Sequence, residues 1–223
     1  MRKNGKFCSY IENRKYGVGC TGSTVVVFNK SGCELAKFKD LTYVYEAVLS
    51  PLDDGFVVKS VDGRLAVYSL DTLSLVKKLR FSSVKYAQDD GFCFSEDGKY
   101  FINIERQGDD LHNVISVYTT ADFSKISETA LGDRFAVSEV ECDGCECFVT
   151  GFARGTDGVA ASFFVAQYRD NAVCDPVEIT AQEYEFYNEQ IAARRRGENA
   201  GERGQIARIW RCGKGTYRRK DTI

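Results

Sequence analysis

The segment from Gly91 to Ser127, GFCFSEDGKYFINIERQGDDLHNVISVYTTADFSKIS, constrains the fold more than any other part of the chain. Apolar and polar residues alternate over Phe92 to Phe94 and again over Tyr100 to Ile104, and Asp97-Gly98 lies between the two runs. This pattern is typical of two strands joined by a tight turn. A third apolar run, Val114 to Tyr118, follows a polar loop. The segment therefore predicts a small antiparallel sheet.

The same plan occurs four times along the chain, at spacings of about 40 to 46 residues. The repeats cover residues 7–38, 45–79, 91–127 and 137–177. Val67 to Leu73 matches Val117 to Phe123 position by position in residue type. Because a repeated sheet of this size buries its faces only against its neighbours, we expect the four repeats to pack side by side.

Phe94-Ser-Glu-Asp-Gly-Lys-Tyr-Phe101 resembles the strand-turn-strand signature of WD40-like and related bacterial β-propeller repeats. Val67 to Leu75 resembles the next strand pair of such a blade. The sequence has neither the Gly-His pair nor the Trp-Asp dipeptide of true WD40 blades. The resemblance implies an all-β fold: a β-propeller-like array of about four antiparallel four-stranded units over residues 1–180. A C-terminal helix and a basic extension are expected over residues 181–223.

An array of four repeats leaves one face of the first sheet and one face of the last sheet without a neighbour. Three arrangements would cover these faces: closure as a small propeller, pairing with a second copy of the chain, or capping by the C-terminal segment. A homo-oligomer is therefore among the expected partners.

The C-terminal segment changes to a helical pattern. Thr180-Ala-Gln-Glu183 has the spacing of a capping box, and Ile179 and Tyr184 are placed for a hydrophobic staple. We expect a helix from Ala181 to Arg196. The apolar run 206–212 fits either a strand or a segment that becomes ordered only on binding.

Residues 191–223 carry ten Lys or Arg and three Asp or Glu, a net charge of +7, although the whole chain has a net charge of -2. Cations neutralise phosphates and aromatic rings stack on unpaired bases, so this basic end suggests single-stranded nucleic acid as an alternative ligand. The other interpretation is a basic extension held against the acidic remainder. The candidate contacts are Arg194, Arg195, Arg196, Arg208, Trp210, Arg211, Lys214, Tyr217, Arg218, Arg219 and Lys220.

Cys142-Asp-Gly-Cys145-Glu-Cys147 is the sharpest local motif. Cys142 and Cys145 are separated by two residues across a tight turn, a spacing that allows both thiolates to bind one zinc ion. The further ligands would come from Cys147, Cys174, Cys212 or His112. Against this, Asp143-Gly144 occupies the position of Asp97-Gly98 in the repeat, so strand structure already explains the turn. We expect ordinary strand cysteines and no metal or other cofactor.

Two further patterns suggest ligands but have simpler explanations. Gly17-Val-Gly-Cys-Thr-Gly22 has the letters of a dinucleotide fingerprint, yet a β-branched run follows where that motif needs a helix. The acidic pair Asp53-Asp54 lies in a turn without the alternating spacing of a calcium loop. We expect a strand at the first and solvated turn residues at the second.

Catalytic motifs are sparse, since His112 is the single histidine and neither Gly-x-Ser-x-Gly nor His-Glu-x-x-His occurs. The expected function is therefore non-catalytic: recognition of a protein or peptide partner by loops on a rigid repeat frame. No apolar run reaches the length of about 18 residues that spans a bilayer. Nine cysteines, an odd number, favour free thiols in a reducing compartment. We expect a cytoplasmic protein.

Overall fold

Each of the four repeats forms one antiparallel sheet of four strands, and in every sheet the strands are hydrogen-bonded in chain order. The computed structural model describes residues 7–80, 91–107, 112–132, 135–156, 158–195 and 205–213. The expected class, an all-β propeller-like array of four-stranded antiparallel units followed by a C-terminal helix, is confirmed.

The first two sheets contain short strands joined by tight turns. The first sheet is formed by β1 (Ser9–Glu12), β2 (Tyr16–Thr21), β3 (Thr24–Asn29) and β4 (Glu34–Phe38). The second sheet is formed by β5 (Val44–Leu49), β6 (Gly55–Ser60), β7 (Arg64–Ser69) and β8 (Ser74–Arg80).

The last two sheets contain longer strands. The third sheet is formed by β9 (Phe92–Phe94), β10 (Tyr100–Gln107), β11 (His112–Thr119) and β12 (Lys125–Ala130). The fourth sheet is formed by β13 (Phe135–Asp143), β14 (Glu146–Arg154), β15 (Ala160–Arg169) and β16 (Ala172–Ile179). Two helices follow, α1 (Ala181–Arg195) and α2 (Gln205–Gly213). Neither helix is long and apolar enough to cross a membrane.

The four sheets share a local irregularity, which confirms that they are repeats. In each sheet the pairing of the third strand with the fourth shifts register, for example between Val67 and Tyr68 and between Val117 and Tyr118. A few residues later Leu73 and Phe123 both have positive φ, 48° and 51°. Because positive φ is uncommon outside glycine, its recurrence at matched positions is a second feature that the two repeats share.

The chain divides into two compact units. The first contains the first two sheets, and the second contains nearly all of the last two sheets with α2 and most of α1. In the first unit the facing sides of both sheets form one buried core that includes Val18, Val27, Phe56 and Tyr68. The sequence-based division at residue 180 is a different one and stays a prediction.

In the second compact unit the fourth sheet is covered on both faces. One face, with Val149 and Ala166, packs with residues of the third sheet. The opposite face, with Phe148 and Val165, packs against Ile191 and other residues of the two helices. Of the three arrangements considered for an exposed terminal face, capping by the C-terminal segment is the one observed for the fourth sheet.

The start of α1 confirms the predicted capping box. The Thr180 backbone N–H donates to Glu183 Oε2 at 2.9 Å, and the Glu183 N–H donates to Thr180 Oγ1 at 3.2 Å. The staple residues Ile179 and Tyr184 lie in the same apolar cluster. The structure describes this helix as far as Arg195, and the expected last residue, Arg196, lies outside the described residues.

The strand alternative for residues 206–212 was wrong, because this run lies in the α-helix α2. Ala207 and Trp210 are three residues apart and both lie in the apolar cluster with the fourth sheet. That spacing places them on one helical face, so packing against the sheet outweighs the preference of Ile and Trp for strands.

Gly17-Val-Gly-Cys-Thr-Gly22 is confirmed as strand, since β2 contains its first five residues and β3 follows. Two of its glycines leave room for aromatic rings that pack on the sheet. A Cβ atom at Gly17 would meet the Tyr10 ring, and one at Gly19 would meet the Phe7 ring. The Phe7 ring also contacts Phe28, at 5.8 Å between ring centres. An aromatic group therefore lies on the face of the first sheet that points away from the second.

Candidate functional site

Three turns of the first compact unit, residues 13–15, 50–54 and 70–73, are tied together and are called the turn cluster below. The Asn13 side-chain Nδ2 donates to Asp53 Oδ1 at 2.6 Å, which joins the first turn to the second. The Leu70 backbone N–H donates to the Asp54 carbonyl oxygen at 2.8 Å, which joins the second turn to the third.

Hydrogen bonds within the first two turns restrict the backbone further. Asn13 Oδ1 accepts the backbone N–H groups of Lys15, at 2.9 Å, and of Tyr16, at 2.7 Å. In the second turn the Leu52 N–H donates to Ser50 Oγ at 3.2 Å, and the Asp53 N–H donates to the Ser50 carbonyl at 3.1 Å. Asp53 has φ of 60°, a conformation that asparagine and aspartate tolerate better than most residues. The turn cluster is therefore a pre-formed surface.

The exposed residues of the turn cluster include apolar ones in the middle turn and charged ones in all three turns. The Leu52 side chain is 58% exposed, and Pro51 beside it is also exposed. The exposed charged residues of the three turns are Arg14, Lys15, Asp54 and Asp71. An apolar anchor within a polar rim is the usual arrangement at protein-binding surfaces.

The acidic pair Asp53-Asp54, predicted to be solvated turn residues, takes part in the structure of the cluster. The Asp53 carboxylate accepts from Asn13 and lies 3.9 Å from Lys15 Nζ. Within the described ranges no group of three or more His, Cys, Asp or Glu side chains is placed to hold a metal ion. Sequence reasoning missed Leu52; the signal was a large apolar residue inside a turn, Pro51-Leu-Asp-Asp-Gly55.

The candidate nucleic-acid contacts fall into three groups. Arg194 and Arg195 end α1, and Arg208, Trp210 and Arg211 belong to α2. The remaining candidates lie outside the described residues: Arg196, Lys214, Tyr217, Arg218, Arg219 and Lys220.

Two of the α2 candidates contact the fourth sheet. The Arg211 guanidinium lies 3.1 Å from Asp143 Oδ2 and 2.6 Å from Glu146 Oε2. These two carboxylates, Glu146 first, raise the pKa of Arg211 above its usual value. Trp210 Nε1 donates to the Asp175 carbonyl oxygen at 2.8 Å, and its ring lies 5.7 Å from the Phe148 ring. This part of the basic end is held against an acidic hairpin, as the second interpretation of the charge pattern proposed.

Nucleic-acid binding by the basic end stays a prediction. If it occurs, affinity for single-stranded DNA should fall steeply with salt, because each neutralised phosphate releases counterions. A titration at several salt concentrations, with the full chain and with a chain ending at Gly213, measures the contribution of Lys214 and the residues after it. Equal affinity of the two chains at every salt concentration would contradict a role for those residues.

The cysteines of the predicted motif lie at the hairpin between β13 and β14. Cys142 and Cys147 are cross-strand partners with their Sγ atoms 2.7 Å apart, whereas Cys145 is exposed in the turn. Two thiolates on one tetrahedral zinc ion would be about 3.8 Å apart, given Zn–S distances of about 2.3 Å. This pair does not have the separation of zinc ligands. Cys174 is half-buried on β16, while Cys212 and His112 lie in α2 and β11.

Comparison with known proteins supports the fold class. No protein-family model and no curated protein matches the sequence. Among solved structures, Kuenenia stuttgartiensis hydrazine synthase is similar over 75% of this chain and 51% of that chain, with a TM-score of 0.56 and 12% identity. This chain thus spans about half of that one. At this identity the similarity concerns the fold alone, and it agrees with a propeller-like architecture of four-stranded sheets.

Proposed function

We propose that this protein is a non-catalytic binding module that recognises a protein or peptide partner through the turn cluster. The observation that carries the proposal is Leu52, a large apolar side chain kept 58% exposed on a turn whose backbone is fixed by hydrogen bonds. A propeller-like frame suits this role because it presents turns from a rigid core.

The energetics favour such a site. Burying a leucine side chain stabilises a complex by about 1.5–3 kcal/mol. A loop that is already ordered avoids most of the conformational entropy that a flexible loop loses on binding. Asn13 links two of the turns, so the frame around Leu52 does not need to rearrange when a partner docks.

The surface also indicates the chemistry of the partner. Pro51 and Leu52 require an apolar side chain opposite them, and the exposed charges of both signs nearby select complementary charges at its flanks. We therefore expect a peptide segment with one apolar anchor and with both acidic and basic residues.

Selection from a random peptide library displayed on phage tests the proposal. The full chain should enrich peptides that share an apolar anchor. Leu52→Asp should weaken binding of an enriched peptide at least tenfold, because about 1.4 kcal/mol corresponds to a factor of ten. Val76→Asp is the matched control, since Val76 is 60% exposed on β8 of the same compact unit but lies outside the turn cluster.

The two variants must first show the same circular dichroism spectrum as the unmodified chain. Peptides that bind Leu52→Asp and the unmodified chain equally would show that the turn cluster is not the site. Equal loss in Leu52→Asp and Val76→Asp would show that enrichment reflects general apolar adhesion.

A further inference from the structure

Three thiols meet beside the hairpin between β13 and β14 in the second compact unit. Cys142 and Cys147 are paired directly across the hairpin. Their Sγ atoms are 2.7 Å apart, and Cys93 Sγ on β9 lies 3.6 Å from Cys142 Sγ. Cys93, Cys142 and Cys147 are all free thiols. Neither the turn cluster nor the basic end uses this group.

The hairpin geometry suits a bond between Cys142 and Cys147. The loop has two residues, Gly144 and Cys145, so Asp143 and Glu146 form the closing hydrogen-bonded pair. Cys142 and Cys147 are then the adjacent non-hydrogen-bonded pair, whose Cα atoms are about 4.5 Å apart. Disulfides occur at Cα separations of about 4.4–6.8 Å. The strands therefore need no rearrangement to allow the bond.

Cys142 and Cys147 differ in burial and in pKa, and therefore in nucleophilicity. Cys142 is 8% exposed and packs in the core between the third and fourth sheets, whereas Cys147 is only half-buried. The hydrogen bond between the Cys142 and Cys147 thiols lowers the pKa of Cys147 below its usual value. The same contact, together with Cys93 and burial, raises the pKa of Cys142. Cys147 is thus the better nucleophile.

We propose that Cys142 and Cys147 form a redox-active dithiol that a small-molecule disulfide of the glutathione class oxidises to a cross-strand disulfide. The Cys147 thiolate attacks one sulfur of the oxidant, which forms a mixed disulfide and releases one reduced thiol. Cys142 then loses its proton to solvent and attacks the Cys147 sulfur, which releases the second reduced thiol. The protein loses two hydrogen atoms, and one oxidant molecule becomes two thiols.

Cys93 provides a second route. Its sulfur lies 3.6 Å from the Cys142 sulfur, so when Cys147 is missing we expect the disulfide to join Cys93 to Cys142. Cys142 is shared by both pairs, which makes it the required member of the group.

The test is to incubate the folded, full-length protein with oxidised glutathione, block remaining thiols in acid, and map disulfides by mass spectrometry without reduction. The unmodified chain should yield a peptide pair joined through Cys142 and Cys147, and reduced glutathione should reverse the bond. Cys145→Ser, in the turn between them, is the matched control and should give the same linkage. Cys142→Ser should abolish it, and Cys147→Ser should give a Cys93–Cys142 linkage instead.

The measurement on the unmodified chain is decisive even if a variant fails to fold. Blocking of Cys142 and Cys147 as complete as that of Cys174 after oxidation would overturn the proposal. A linkage through Cys145 in place of Cys142 would overturn it as well.

Discussion

Gly151→Ala is expected to lower the free energy of unfolding by about 3 kcal/mol, since overpacking a close-packed site costs about 1–3 kcal/mol and sometimes more. Gly151 lies in the middle of β14. A Cβ atom there would lie well inside the contact distance of the Ala136 carbonyl oxygen and 2.7 Å from the Phe164 ring. The carbonyl belongs to the paired strand β13, so the strain would be relieved only by moving the backbone of the sheet. Urea unfolding followed by circular dichroism measures the loss.

Gly132→Ala is the matched control for Gly151→Ala. Gly132 has φ of 67°, but nothing lies within 4 Å of the added Cβ atom. Only the left-handed backbone conformation should then cost about 1–2 kcal/mol. A Gly151→Ala variant as stable as Gly132→Ala would contradict the close approach of β13 to β14.

Ala207→Glu is expected to detach α2 from the fourth sheet. Ala207 is completely buried in the apolar cluster with Phe148 and Val165. An unpaired buried carboxylate costs about 3–5 kcal/mol, so the helix should leave the sheet instead of accepting the charge. Trp210 is the single tryptophan and reports the change directly. Its fluorescence emission should shift to longer wavelength, and quenching by acrylamide should increase.

Arg208→Glu is the control for Ala207→Glu, because it introduces the same side chain one residue away at an exposed position of α2. Its tryptophan emission should stay close to that of the unmodified chain. Equal spectral shifts in both variants would show that added negative charge, and not the loss of packing at Ala207, detaches the helix.

Features encoded by short stretches were predictable from the sequence. The capping box at Thr180 and Glu183 is a local motif, and the start of α1 follows from it. The alternating runs and the glycine turns predicted the four hairpin repeats, because a strand with one buried face has a period of two residues. The match of Val67–Leu73 to Val117–Phe123 indicated that these stretches are equivalent, and the structure adds that both sheets have a register shift there.

Features that depend on contacts between distant segments were not predictable. The helical state of α2 is stabilised by contacts with a sheet that lies earlier in the chain, for example through the Trp210 bond to Asp175, 35 residues away. The turn cluster depends on a bond from Asn13 to Asp53, 40 residues apart. The approach of Cys93 to Cys142 likewise joins two sheets. No local pattern encodes such pairings.

Hydrogen–deuterium exchange of the full chain, with and without a peptide selected on phage, tests the binding role of the turn cluster most directly. The proposed site predicts slower amide exchange on peptide binding at residues 13–15 and 50–54, with no change at residues 205–213. Slower exchange confined to residues outside the turn cluster would contradict it.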